Sequence, residues 1–289
     1  MNQFASLSVQ MINALSQASM LFFLGAGLAL IFGIMRVVNF AHGAFYMLGA
    51  YIGYTIARLS GNFWFAVIVA PIVVGVVGLL FERIALRRLY RREESSYLLV
   101  TFGLTMVIIE IVRLTWGAAP LHVAFPEMLG GVSFLSGIPV PHYRLFLILA
   151  GVAVAFLLWS MLERTRLGLL IRATSQNVEM VHALGVDVDL IRFAVFGVGC
   201  ALAALGGVLA APMLTASLGM SALVLIDAFI IVIIGGMGSF LGAILGSLIV
   251  AFVQVFGTYY FPDFAMILIY MIMVTVLVVR PGGLLGKET

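Results

Sequence analysis

Residues 11–34 read MINALSQASMLFFLGAGLALIFGI. That run exceeds the roughly 20 apolar residues a helix needs to cross a hydrocarbon core about 30 Å thick. No Lys or Arg stands in residues 1–10, so the run reads as a retained membrane span and not as a cleavable leader, which needs a basic start. Working outward, further spans follow at about 39–57, 63–81, 96–115, 143–162, 191–213, 221–235, 238–257 and 263–280. Unpaired backbone amides are too costly in lipid for open strands, so each is expected to be a helix. The fold class is all-α: a polytopic membrane protein, residues 1–289 forming one transmembrane domain, with eight or nine transmembrane helices. The count turns on 221–235, which is short, contains Asp227 and runs into Gly235-Gly236. It reads equally as a re-entrant half-helix.

Composition agrees. Of 289 residues, 64% are hydrophobic and 9% charged, and the mean hydropathy is +1.22, where soluble domains carry about 25% charged residues. Disorder, nucleic-acid binding and a water-soluble enzyme all need polar surface that this chain lacks. Cys200 stands alone and can form neither an intramolecular disulfide nor a thiolate metal cluster. The formal charge of +3 orients the chain and does not name a substrate. Twelve basic residues fall on one side of the predicted spans: Arg36, Arg83, Arg87, Arg88, Arg91, Arg92, Arg164, Arg166, Arg172, Arg192, Arg280 and Lys287. Arg58, Arg113 and Arg144 remain on the other. By the positive-inside rule, 82–94, the loop 163–190 and the C-terminus are cytoplasmic, and with nine spans the N-terminus is outside. The loop 116–142 is then external. Four of the eight prolines lie there, which predicts an ordered, non-helical cap. With no Cys near and Glu127 its only acid, His122 and His142 do not make a metal site.

Three segments could carry function. In the first, from Arg36 to Tyr51, the polar Asn39 and His42 sit between apolar runs beside Gly43. Polar groups at membrane depth face protein or a water-filled path, so a satisfied turn and a functional break are both open. The second runs from Gly235 to Ser247. Gly235 and Gly236 permit an unwound break, and Gly238, Gly242 and Gly246 recur every four residues, which lets another helix approach closely. The motif at 42–50 loosely echoes 237–243, a hint of an internal repeat. The third is the loop 163–190. One of Thr174 to Asn177 caps a short amphipathic helix of about 176–184, Glu179 lies in its first turn, Val178, Val181 and Leu184 share a face, and Gly185 stops it. A loop of that size with its own helix is usually functional.

Two lone acids remain. Glu110 and Arg113 are spaced for an ion pair, whereas Asp227 has no basic residue within a turn, so its partner must come from another helix. The tail Gly282 to Thr289 mimics a phosphate-binding loop, but Glu288 follows Lys287 where the motif needs Ser or Thr, and no helix follows. No G-x-S-G or H-E-x-x-H pattern suggests a membrane-embedded enzyme.

The run Val38-Asn39-Phe40-Ala41-His42-Gly43, with Tyr46-Met47-Leu48-Gly49-Ala50-Tyr51, closely resembles the hallmark of branched-chain amino acid ABC permeases of the shorter, H-type kind. Arg166-Leu167-Gly168 with Arg172-Ala173, Ala183-Leu184-Gly185-Val186, Gly235-Gly236-Met237-Gly238-Ser239 and the closing Arg280-Pro281-Gly282-Gly283-Leu284-Leu285-Gly286 also match. Relatives often carry Glu where Ala44 stands.

The resemblance implies a non-enzymatic permease of the bacterial cytoplasmic (inner) membrane. It implies as partners a second permease subunit, two ATP-binding cassette ATPase subunits and a periplasmic or lipid-anchored solute-binding protein. ATP and Mg would sit in the ATPase subunits and no cofactor in this chain. The loop helix, with Arg172, Asn177, Glu179, Ala183, Leu184 and Gly185, would couple to an ATPase. Asn39, His42, Gly43, Tyr46, Asp227, Gly235, Gly236 and Gly238 would lie along or beside the translocation path. The rival reading is a stand-alone, ion-coupled secondary transporter or channel. It needs paired intramembrane charges, and only Asp227 is available.

Overall fold

The computed structural model describes residues 3–90, 93–135 and 138–286. Arg91, Arg92 and Lys287 of the charge count, and Glu288 and Thr289 of the tail, lie outside them. All the predicted spans fall on helices: α1 (Gln3–Met35), α2 (His42–Ser60), α3 (Phe63–Ile84), α4 (Glu94–Trp116), α5 (His142–Arg164), α8 (Val188–Leu214), α9 (Met220–Gly235), α10 (Phe240–Tyr260) and α11 (Ala265–Val279). Among the described residues, seven helices are long and apolar enough to cross a membrane. The other two are α2 and the 16-residue α9, so the protein is a polytopic all-α membrane protein. Side-chain caps fix several starts. Asn62 Oδ1 accepts from the Trp64 amide, Asp187 Oδ1 from Asp189 and Leu190, and Ser239 Oγ from Gly242.

Two connections turn back into the bundle. Met35 ends α1, Arg36 takes φ 51, and His42 then begins α2 against the carbonyl of Leu24. Leu24 lies eleven residues before Met35, about 16 Å back along α1 at 1.5 Å per residue. Likewise Leu214 ends α8 and Thr215 takes φ 61. The chain then reverses until Ser221, early in α9, lies against Gly43. Val208 of α8 had already reached Gly53, ten residues further along α2. Arg36 and Thr215 are, among the described residues, the non-glycine positions with positive φ.

These two units belong to a larger correspondence. Helix α3 packs on α8 as α10 packs on α1, and α4 lies on α2 as α11 lies on α9. Phe23 meets Gly206 and Gly27 meets Gly199, so α1 and α8 run in opposite directions. The quartets α1–α4 and α8–α11 are therefore an inverted pair. This corrects the sequence echo between 42–50 and 237–243. It aligned the starts of α2 and α10, which are not counterparts; the true counterparts, Arg36 and Thr215, share a positive φ and no sequence motif.

Other details differ from expectation. The segment 39–41 is not helical, because Asn39 Oδ1 accepts from the Ala41 amide (3.0 Å) and closes a tight turn in its place. The loop after α5 holds two helices, not one: α6 (Arg166–Gln176) and α7 (Val178–Ala183). The segment 116–142 contains a short 3-10 turn at Glu127–Leu129 and an antiparallel hairpin, β1 (Val132–Leu135) and β2 (Ile138–Pro141), with Val132 opposite Pro141. The core lies where α1, α2 and α8 meet, while α11 buries no described residue.

Candidate functional site

The turn-back at 36–41 places irregular backbone inside the bundle, where each polar group needs a partner. Helix α4 supplies two. Thr101 Oγ1 accepts from the Phe40 amide (3.3 Å), and Thr105 Oγ1 donates to the Phe40 carbonyl (3.1 Å). His42 is fully buried, and its Nε2 bonds the Leu24 carbonyl (2.9 Å). The carbonyl can only accept, so that nitrogen carries the proton. His42 Nδ1 and Asn39 Nδ2 are buried without a partner among the described residues. A Cβ on Gly43 would collide with the carbonyl oxygen of Ser221, so glycine is what lets the starts of α2 and α9 touch. Tyr46 is buried with its ring against Gly206. Asn39, His42, Gly43 and Tyr46 are thus brought together in the interior. The two threonines were missed because their partners lie 61 and 65 residues away in sequence.

Asp227, halfway along α9, does find its partner on another helix. Gln254 Nε2 of α10 donates to its Oδ1 (3.3 Å), and Gln17 Nε2 of α1 donates to Gln254 Oε1 (3.4 Å). All three side chains are only partly buried. Gln17 and Gln254 were not singled out from the sequence, since each is one polar residue in a strongly apolar window. The other acid behaves as its spacing predicts. Arg113 Nη2 and Nε reach the two Glu110 oxygens at 2.6 and 2.9 Å on the exposed surface of α4.

Gly235, Gly236 and Gly238 sit apart from that group, at the turn between α9 and α10. Gly236 and Gly238 have φ of 107 and 80, and Gly238 backs onto Gly33 of α1. The tail closes over this turn. The amides of Leu284 and Leu285 donate to the carbonyls of Ile234 and Gly235 (2.9 Å each), capping the end of α9. Two backbone amides of the loop that mimics a nucleotide site, those of Leu284 and Leu285, are thus committed to a helix.

The loop 163–190 is ordered by its own chemistry. Thr165 caps α6 by accepting from Gly168, and Asn177 caps α7 by accepting from Met180 (2.9 Å). Gly185, at φ 80, ends α7; its amide donates to His182 and that of Val186 to Val181, both bonds of a Schellman stop. Arg172 pairs with Glu163 and donates to the Leu162 carbonyl, tying α6 to α5. Of the face expected to be apolar, Val181 is buried and Leu184 is not. Leu184 is 74% exposed and Met180 59%, with Glu179, Ala183 and Gly185 exposed beside them. At the loop's exit, Arg192 of α8 bonds Asp189 (3.4 Å) and lies 4.6 Å over the Tyr90 ring, while the Tyr90 hydroxyl donates to buried Glu82 on α3. That cluster joins the loop to the bundle and was not foreseen.

Comparison with known proteins places this architecture. The family described as branched-chain amino acid transport system / permease component matches residues 10–277. BraD of Pseudomonas aeruginosa, a high-affinity branched-chain amino acid transport system permease protein, is 29% identical over 96% of this chain and 95% of its own. LivH of Salmonella typhimurium, described in the same words, is 26% identical over 99% and 97%. Among solved structures, PsaBC from Streptococcus pneumoniae in complex with Fab aligns over 92% of this chain and 89% of that one, at 13% identity and a TM-score of 0.49. The chain belongs to the family of permease components of branched-chain amino acid transport systems.

Proposed function

We propose that this chain is the transmembrane permease subunit of an ABC importer in the bacterial cytoplasmic membrane, taking up branched-chain or related amino acids. ATP hydrolysis in two partner ATPase subunits powers it, a second permease completes the path, and a periplasmic or lipid-anchored binding protein delivers the solute. The chain itself catalyses no reaction. The end of the bundle carrying Arg36, α6, α7 and the tail is the cytoplasmic one, and 116–142 is the external cap.

The observation that carries this reading is the α6–α7 loop: short, capped at each end, and presenting Met180 and Leu184 outward. Apolar side chains held this exposed on a rigid support call for a partner. Docked on an ATPase, α7 would pass its motion to α5 through Arg172 and Glu163 and to α3 through Arg192 and Tyr90. Asn39, His42, Gly43 and Tyr46 hold the first turn-back beside the path, Gly235, Gly236 and Gly238 hold the cytoplasmic turn, and Asp227 contacts the solute.

The test uses the complete complex in proteoliposomes. Glu179→Lys and Gly185→Leu are expected to abolish both amino-acid uptake and stimulation of ATP hydrolysis by the loaded binding protein. Full coupling in both variants overturns the docking role of α7.

A further inference from the structure

Polar side chains recur on one face of α1. Ser6, Gln10, Asn13 and Gln17 follow at spacings of four, three and four, which stacks them on one side of a helix. They continue onto neighbouring helices. Ser6 Oγ lies 2.8 Å from the Tyr259 hydroxyl of α10, Asn13 Nδ2 donates to Gln10 Oε1 (3.1 Å), and Arg144 of α5 donates to Asn13 Oδ1. Gln17 and Gln254 then lead to Asp227. Asp227 lies in the shorter apolar helix α9 and the others in helices long and apolar enough to cross a membrane, and none of these side chains is fully buried in this chain. Hydrocarbon is not a tolerable neighbour for half-exposed amides and a carboxylate. Helix α11 shows the alternative, an apolar surface from Met266 to Val279 with no buried residue. Past Asp227 the polar line stops, and Leu21, Ile230, Ile234 and Val250 close it as a buried apolar cluster.

We infer that this line is the solute path through this subunit, and that Asp227, Gln254 and Gln17 are the intramembrane contact for an aliphatic zwitterion. The inference rests on the permease reading above and specifies its path. A zwitterion leaving water needs an anion for its ammonium and N–H donors for its carboxylate. Asp227 offers the first, and the amides of Gln17 and Gln254 the second once turned from each other to the solute. The buried apolar cluster beyond marks where the polar line ends, and the second permease supplies the facing wall. The hallmark residues Asn39, His42 and Tyr46, all at most 3% exposed, support this path from behind.

The experiment is uptake and labelling on the reconstituted complex. Asp227→Asn and Gln254→Leu are expected to lower aliphatic amino-acid uptake by roughly tenfold or more, the effect of losing a hydrogen bond to a charged group, with Asp227→Glu retaining more than Asp227→Asn. Gln17→Cys and Gln254→Cys are expected to react with a hydrophilic, membrane-impermeant thiol reagent, and Val274→Cys on α11 to resist it; native Cys200 is fully buried. If a variant fails to assemble, the labelling decides. Wild-type uptake in both Asp227→Asn and Gln254→Leu, or Gln17→Cys and Gln254→Cys as inert as Val274→Cys, overturns the path while leaving the permease reading standing. A wild-type complex that takes up no aliphatic amino acid overturns the permease reading instead.

Discussion

The two turn-backs solve one physical problem with different groups. At 36–41 the freed backbone is satisfied by side chains: Asn39 within the segment, Thr101 and Thr105 from α4. At 215–219 it is satisfied by backbone, through the reciprocal pair in which the Leu121 amide donates to Ala216 (2.9 Å) and the Ala216 amide to Leu121 (3.0 Å). The difference explains why one break is written in the sequence and the other is not. Side-chain partners must be particular residues at particular positions. Backbone partners accept almost any residue, so 215–219 carries no motif even though it occupies the equivalent place in the fold.

The comparison can be broken first where the two units touch. Gly43→Leu drives a side chain into the Ser221 carbonyl and is expected to destabilise the protein by about 3 kcal/mol or more, read as a lost or sharply lowered melting transition in detergent. Next comes the side-chain-dependent break. Thr101→Val with Thr105→Val leaves both polar groups of Phe40 unpaired in the interior, at about 1–3 kcal/mol; an unchanged melting temperature would show that the threonines are not needed. The second break responds in the opposite direction. Thr215→Gly relieves about 2 kcal/mol of left-handed strain and gives back about 1 in backbone entropy, so the melting temperature is expected to rise. The smallest effect belongs to His122→Ala. It removes an exposed contact to Thr215 (3.2 Å) and should cost about 0.5 kcal/mol or less, because Leu121 and Ala216 hold the segment without it.

Much of the fold was legible in the sequence because hydropathy over some twenty residues reports helix placement directly. A cap among Thr174 to Asn177, the Gly185 stop and the Glu110–Arg113 pair were legible because each depends on residues within one turn. What escaped depends on distant pairing. Thr101 and Thr105 look like ordinary small residues in a span until Phe40 is brought to them. Gln10, Asn13 and Gln17 vanish in the average of an apolar window, though their spacing is a helical period. Helix α6 was passed over because its polar residues read as loop, while its tie from Arg172 to Glu163 acts across a bend. The repeat was misplaced for a related reason: glycine-rich helix starts resemble one another by composition, whereas the true equivalence lies in two backbone angles.

The docking of the tail on α9 has a consequence for biogenesis. Ile234 and Gly235 expose their carbonyls as soon as α9 forms, yet the amides that satisfy them belong to Leu284 and Leu285, fifty residues later in the chain. During synthesis at the membrane, this end of α9 must therefore wait, hydrated or held by the insertion machinery, until α10 and α11 have been threaded and Leu284 and Leu285 emerge to close it.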